Sequence, residues 1–107
     1  MRKSLRFQVA LAVAVSLAGA VGFAQSPGEA VYKAKCLNCH GAAGMADTSI
    51  GKALKVKPAT DPSVKKFSQA EMVAAVKNGM GKMQPYKDKL TDAEIKESVA
   101  YFRSLIK

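Results

Sequence analysis

Cys36-Leu37-Asn38-Cys39-His40 has the C-x-x-C-H spacing at which two thiols form thioether links to the vinyl groups of a haem and the adjacent imidazole takes the iron. Two cysteines one helical turn apart face the same way, so five positions are enough to hold a macrocycle and its proximal ligand. Every other segment is then expected to cover the haem, to supply its second axial ligand, or to direct the chain to the compartment where haem is attached.

Haem iron in an electron carrier needs a second axial ligand that does not exchange, His or Met. His40 is the only histidine of the chain, which excludes bis-histidine ligation within it. Met72 sits inside an apolar helical stretch and reads as core packing, while Met45 is too close in sequence to His40 to reach the opposite haem face. Met80 and Met83 remain, in Gly79-Met80-Gly81-Lys82-Met83-Gln84-Pro85-Tyr86. Met80 lies between two glycines, whose backbone freedom holds a ligand poorly; Pro85 and Tyr86 stiffen the loop after Met83. Met83 is the expected distal ligand and Met80 the alternative. With neither bound, the iron would be five-coordinate or water-ligated.

Three segments read as helices, each opening with a hydroxyl N-cap and a glutamate three residues on, the capping-box pattern. Ser26-Pro27-Gly28-Glu29 leads into the pentapeptide, with Pro27 in its favoured first-turn position. Ser68-Gln69-Ala70-Glu71 starts a second helix that stops at Gly79. Thr91-Asp92-Ala93-Glu94 starts a third that runs to the chain end, with Ile95, Val99, Phe102 and Ile106 on one stripe, widened by Tyr101 and Leu105. Between pentapeptide and second helix, residues 41–67 are rich in turn formers, with Lys57-Pro58 and Asp61-Pro62 as breakers. A loop of that length is expected to pack on something, here a haem edge. Ile50, Leu54 and Val56 are its expected inward residues, with a short helical turn around Ile50 to Lys55. The expected fold is all-α: three main helices and a long loop wrapped around one covalent haem.

Upstream, Arg2, Lys3 and Arg6 precede an uncharged run from Phe7 to Gly28 with small residues at Gly22-Phe23-Ala24. This is the pattern of an export signal, residues 1–24, cleaved after Ala24. An uncleaved anchor is the competing reading. The run is mostly Ala, Val and Gly and ends at Ser26-Pro27-Gly28, which disfavours an anchor. The single haem domain is then 25–107, placed outside the cytoplasmic membrane, in the periplasm. Removing the three leader cations from the 17 Lys and Arg leaves 14 against 8 acidic residues, a net charge of +6. So short a chain builds a marginal core, which a covalent haem would complete.

On these residues together the chain resembles a class I c-type cytochrome of the small bacterial kind. Gly28 and Tyr32 stand eight and four residues before Cys36, as the glycine and aromatic of the family's first helix do. Asn78-Gly79 through Met83 to Tyr86 resembles its distal-ligand loop, and Val99-Ala100-Tyr101-Phe102 its last helix. Two positions depart from the family pattern: Gln84 separates Met83 from Pro85, and Gly51-Lys52 stands where a Gly-Pro step accepts a hydrogen bond from the proximal imidazole. A backbone carbonyl near Gly51 or Pro58 is the substitute acceptor to look for.

The resemblance implies haem c with one iron, held by Cys36, Cys39, His40 and Met83. It also implies a non-enzymatic single-electron carrier of a respiratory chain whose partners are a quinol-oxidising complex, a haem-copper oxidase or a periplasmic dehydrogenase. Lysines 52, 55, 57, 65, 66, 82, 87 and 89 would steer a monomer onto acidic partners. Nucleic acid and small-molecule substrates are not expected. Two other functional classes fit the same motif: a haem subunit of a larger oxidoreductase, and a five-coordinate sensor or peroxidase-like protein. The pentapeptide also admits a thiol-disulfide switch or a zinc site, though the βαβ pattern of the first and a fourth ligand for the second are both missing.

Overall fold

The computed structural model describes residues 26–106; the expected leader and its cleavage site lie outside them. Six helices follow one another among the described residues: α1 (Pro27–Lys35), α2 (Leu37–His40), α3 (Ser49–Ala53), α4 (Pro62–Lys65), α5 (Gln69–Asn78) and α6 (Asp92–Ser104). No strand is present among them beyond an isolated antiparallel bridge between Met80 and Met83. None of these helices is long and apolar enough to cross a membrane.

The two longest helices start as their sequences prescribe. Ser68 Oγ accepts from the Glu71 amide at 3.1 Å while the Glu71 carboxylate accepts from the Ser68 amide at 2.9 Å. Thr91 and Glu94 repeat the exchange at 3.1 and 2.9 Å. The first helix keeps only half of the expected capping box. Ser26 Oγ accepts from the Glu29 amide at 3.3 Å, but the Glu29 carboxylate pairs with Lys33, 2.9 Å away, because a lysine four residues on lies on the same helix face.

Helix α1 crosses α6 at a close approach. Gly28 is buried against the backbone of Glu97, and the fully buried Tyr32 ring stacks 5.2 Å from Tyr101 and 6.2 Å from Phe102. Helix α5 also packs on α6, and Met72, Leu90, Ile95 and Val99 form a core against which Val31 of α1 and Phe102 pack. The Arg103 guanidinium donates to the Phe67 carbonyl at 2.9 Å, tying the end of the long loop to α6.

That loop differs from expectation in two ways. It carries a second short helix, α4, at Asp61-Pro62, which reads as a breaker in sequence. Asp61 Oδ1 accepts from the Ser63 amide at 2.9 Å and from its hydroxyl at 2.6 Å, and Pro62 fills a first-turn position whose missing N–H has no intrahelical partner to lose. Secondly, Ile50 and Leu54 point outward, 49% and 37% exposed, and Val56 is half-buried. Helix α3 turns Gly51 inward instead. A Cβ there would run into the Cys39 carbonyl oxygen and stand 2.9 Å from Thr48 Oγ1. The Thr48 hydroxyl donates to the Asn38 carbonyl, fastening α3 to the pentapeptide.

Candidate haem site

An open apolar cleft is lined by residues of the pentapeptide and of the Met80–Met83 turn. Cys36, His40, Met80 and Met83 all line it, together with Met72 and Val76 of α5 and Val99 and Phe102 of α6. Four of the five residues expected at the site or as its alternative are thus brought together. Cys39, half-buried on α2, is not part of the lining. Met72 is both core and wall, 8% exposed.

Helix α1 delivers Cys36 as its C-cap, and the Cys36 carbonyl then accepts from the His40 amide at 2.9 Å. The His40 ring stands 5.3 Å from Phe102, edge to face. Its Nδ1 is buried with no hydrogen-bond partner; the carbonyls near Gly51 and Pro58 do not provide the expected acceptor. Burial pushes the imidazole pKa down, which keeps the ring in the neutral form that binds a metal. An apolar slot bordered by a thiol, a neutral imidazole and two thioethers fits a haem.

The same geometry weighs against the rival chemistries. Burial, followed by the neighbouring Cys39 thiol, pushes the Cys36 pKa up to about 11. A thiol-disulfide catalyst needs the opposite shift. No group of three His, Cys, Asp or Glu side chains among the described residues is arranged to hold a metal ion, so Cys36, Cys39 and His40 do not form a zinc site.

The Met80–Met83 turn is more ordered than its glycines suggest. Met80 N–H donates to the Met83 carbonyl at 3.0 Å and Met83 N–H donates back at 2.9 Å, with Gly81 at φ +57° supplying the left-handed turn. The arm after Met83 is anchored. The Tyr86 amide donates to the Val76 carbonyl at 2.9 Å, its hydroxyl donates to the Lys35 carbonyl at 3.3 Å, and Gln84 Oε1 accepts from Lys89 Nζ at 2.7 Å.

Tyr32, the aromatic four residues before Cys36, enters the site together with Ser98 and Lys57, which no motif placed there. The Tyr32 hydroxyl donates to the Gly41 carbonyl at 2.6 Å, pinning the chain immediately after His40. Burial foremost, then the Cys36 thiol, raises its pKa and keeps it a donor. Ser98, 2% exposed, and Lys57 also line the cleft. The hint of Ser98 in the sequence is a hydroxyl interrupting the apolar stripe of α6.

The family model for cytochrome c oxidase, cbb3-type, subunit III matches residues 23–102. The solved structure of KustC0563 c-type cytochrome is similar at a TM-score of 0.68 and 30% identity, over 75% of this chain and 98% of that one. Among curated proteins there is no match.

Proposed function

Since this chain belongs to the c-type cytochromes, in the family of cytochrome c oxidase, cbb3-type, subunit III, and so carries covalent haem c for electron transfer, we propose an exported single-electron carrier with His40 and Met83 as axial ligands. Cys36 and Cys39 are its thioether residues. The observation that carries this reading is the convergence of His40 and the anchored Met83 arm on one apolar cleft.

When bound, haem supplies a one-electron Fe(III)/Fe(II) couple. The protein's part is to hold that couple still and set its potential. His40 presents a neutral ring, steadied by Phe102 and by the Tyr32 to Gly41 bond behind it. The Met83 thioether, a soft donor, favours reduced iron and raises the potential above that of a bis-histidine site. The apolar walls exclude water and disfavour the extra charge of the oxidised state, which acts in the same direction. With His40 and Met83 both holding the iron, the bound haem would exchange electrons without transforming a substrate. In the reduced-minus-oxidised visible spectrum the exported protein should show a low-spin c-type haem that carbon monoxide does not perturb rapidly at neutral pH. Fast carbon monoxide binding would instead support the five-coordinate sensor or peroxidase reading.

Lys52, Lys55, Lys57, Lys65, Lys66, Lys82, Lys87 and Lys89 are all exposed, and Lys57 and Met83 share the cleft. This positive surface suits transient docking onto acidic redox proteins of the periplasm: a quinol-oxidising complex, a haem-copper oxidase or a dehydrogenase. Electron exchange with such a partner is expected to slow steadily as ionic strength rises through the range where the Debye length falls from about 30 to 8 Å; a flat profile would remove the steering role. The subunit description of the matching family favours a second reading, a dedicated haem subunit of an oxidase. Copurification with a larger complex, instead of migration as a free monomer, would select it.

A further inference from the structure

The two methionines of the distal turn are not equivalent, and neither is redundant by position. Residues that exchange both backbone hydrogen bonds across an antiparallel pair stand directly opposite each other, with Cα atoms about 5.5 Å apart and side chains on one face. Met80 and Met83 make both bonds, and both line the cleft. Two thioethers on flexible side chains are therefore presented to the same space from neighbouring arms of one turn. Their supports differ. The Met83 arm is tied through Gln84 and Tyr86 to Lys89, α5 and the end of α1. Met80 is joined to α5 directly through Gly79, whose amide donates to the Ala75 carbonyl at 2.8 Å; the residue is 52% exposed, and the turn tip at Gly81 has no atoms within 4 Å of where a Cβ would lie.

We propose that Met80 is a reserve distal ligand, able to take the axial position when Met83 leaves it. This rests on Met83 being the resident ligand. In the exchange one iron–sulfur bond breaks and one forms, with no electron or proton gained or lost. The exchange needs only rotation of the two flexible side chains, with the doubly hydrogen-bonded backbone of the turn left in place. The consequence is a site that stays closed to oxygen, peroxide and carbon monoxide during excursions of its first ligand, and so remains a carrier.

The test uses the exported holoprotein with Met83→Leu, Met80→Leu and both together, leucine being close to methionine in volume. The readouts are the charge-transfer band of Met-ligated Fe(III) and the rate of carbon monoxide binding to the reduced form. Met83→Leu is expected to keep a displaced charge-transfer band. It should bind carbon monoxide at least about tenfold more slowly than the double variant, equivalent to about 1.4 kcal/mol of retained ligation. Met80→Leu should resemble the unsubstituted protein. If Met83→Leu lacks the band and reacts as fast as the double variant, the reserve role is overturned while Met83 stands as ligand. If Met80→Leu alone loses the band, Met83 is not the resident ligand and the preceding reading of the distal site fails as well. Should leucine impair the yield of holoprotein, the corresponding alanine set decides by the same comparison.

Discussion

Cys36→Ala together with Cys39→Ala is expected to give exported protein with no covalent haem and almost no helical fold. The reason is the shape of the core. Of the largest well-buried side chains, Tyr32, Met72 and Val99 each also line the cleft, so the same groups that hold the helices together form the walls of the haem site. Re-exposing a side chain of that size costs about 1.5–3 kcal/mol. Three of them amount to much of the roughly 5–15 kcal/mol by which a small domain is stable at all. Either single substitution leaves one thioether position and should lower the yield of haem-linked protein without eliminating it. Haem retained through denaturation in acid acetone reports the covalent link, and far-ultraviolet circular dichroism reports the helices. A double variant recovered at normal yield, folded and free of haem, would remove haem from the core and with it the account of the cleft.

Local chemistry was legible in the sequence and tertiary proximity was not. The pentapeptide, the reciprocal caps at Ser68 and Thr91, the stop at Gly79 and the stripe of Ile95, Val99 and Phe102 each depend on residues within a turn or two of one another, so spacing alone carries them. Asp61-Pro62 shows where local signals become ambiguous: the pair that ends one element also opens the next, and only Ser63 lying within reach of the Asp61 carboxylate decides for a helix. Ile50 and Leu54 depart from expectation for a different reason. Hydrophobicity suggests the inward face of α3, but the room beside the Cys39 carbonyl admits only Gly51, and that constraint belongs to two segments at once. The Met80–Met83 bridge is similar. Flanking glycines imply a loose backbone until the two amides are seen to pair with each other.

Gly28→Ala is expected to lower the melting temperature of the holoprotein, although helix propensity argues for the reverse. A methyl group on an exposed helix position would stabilise by up to about 1 kcal/mol, and less in the first turn. At Gly28 the new Cβ would meet the Glu97 carbonyl group, its carbon 2.7 Å away, with Tyr101 Cβ at 3.4 Å. The obstacle is backbone inside α6 and has no rotamer through which to withdraw, so α1 and α6 must separate. Separation loosens Tyr32 from Tyr101 and Phe102, and with it the bond from the Tyr32 hydroxyl to Gly41 that steadies the chain after His40. Overpacking of this kind costs about 1–3 kcal/mol. At about 4–8 °C per kcal/mol for a domain of this size, the clash outweighs the propensity gain and the transition should fall by roughly 5–15 °C. Ala30→Gly, at an exposed position of the same helix, provides the control: it loses propensity without touching α6, and its melting temperature should fall by less. A Gly28→Ala protein that melts at or above the unsubstituted temperature would mean that the two helices do not meet at Gly28, and that the crossing which holds the His40 segment in place is built from the aromatic cluster alone.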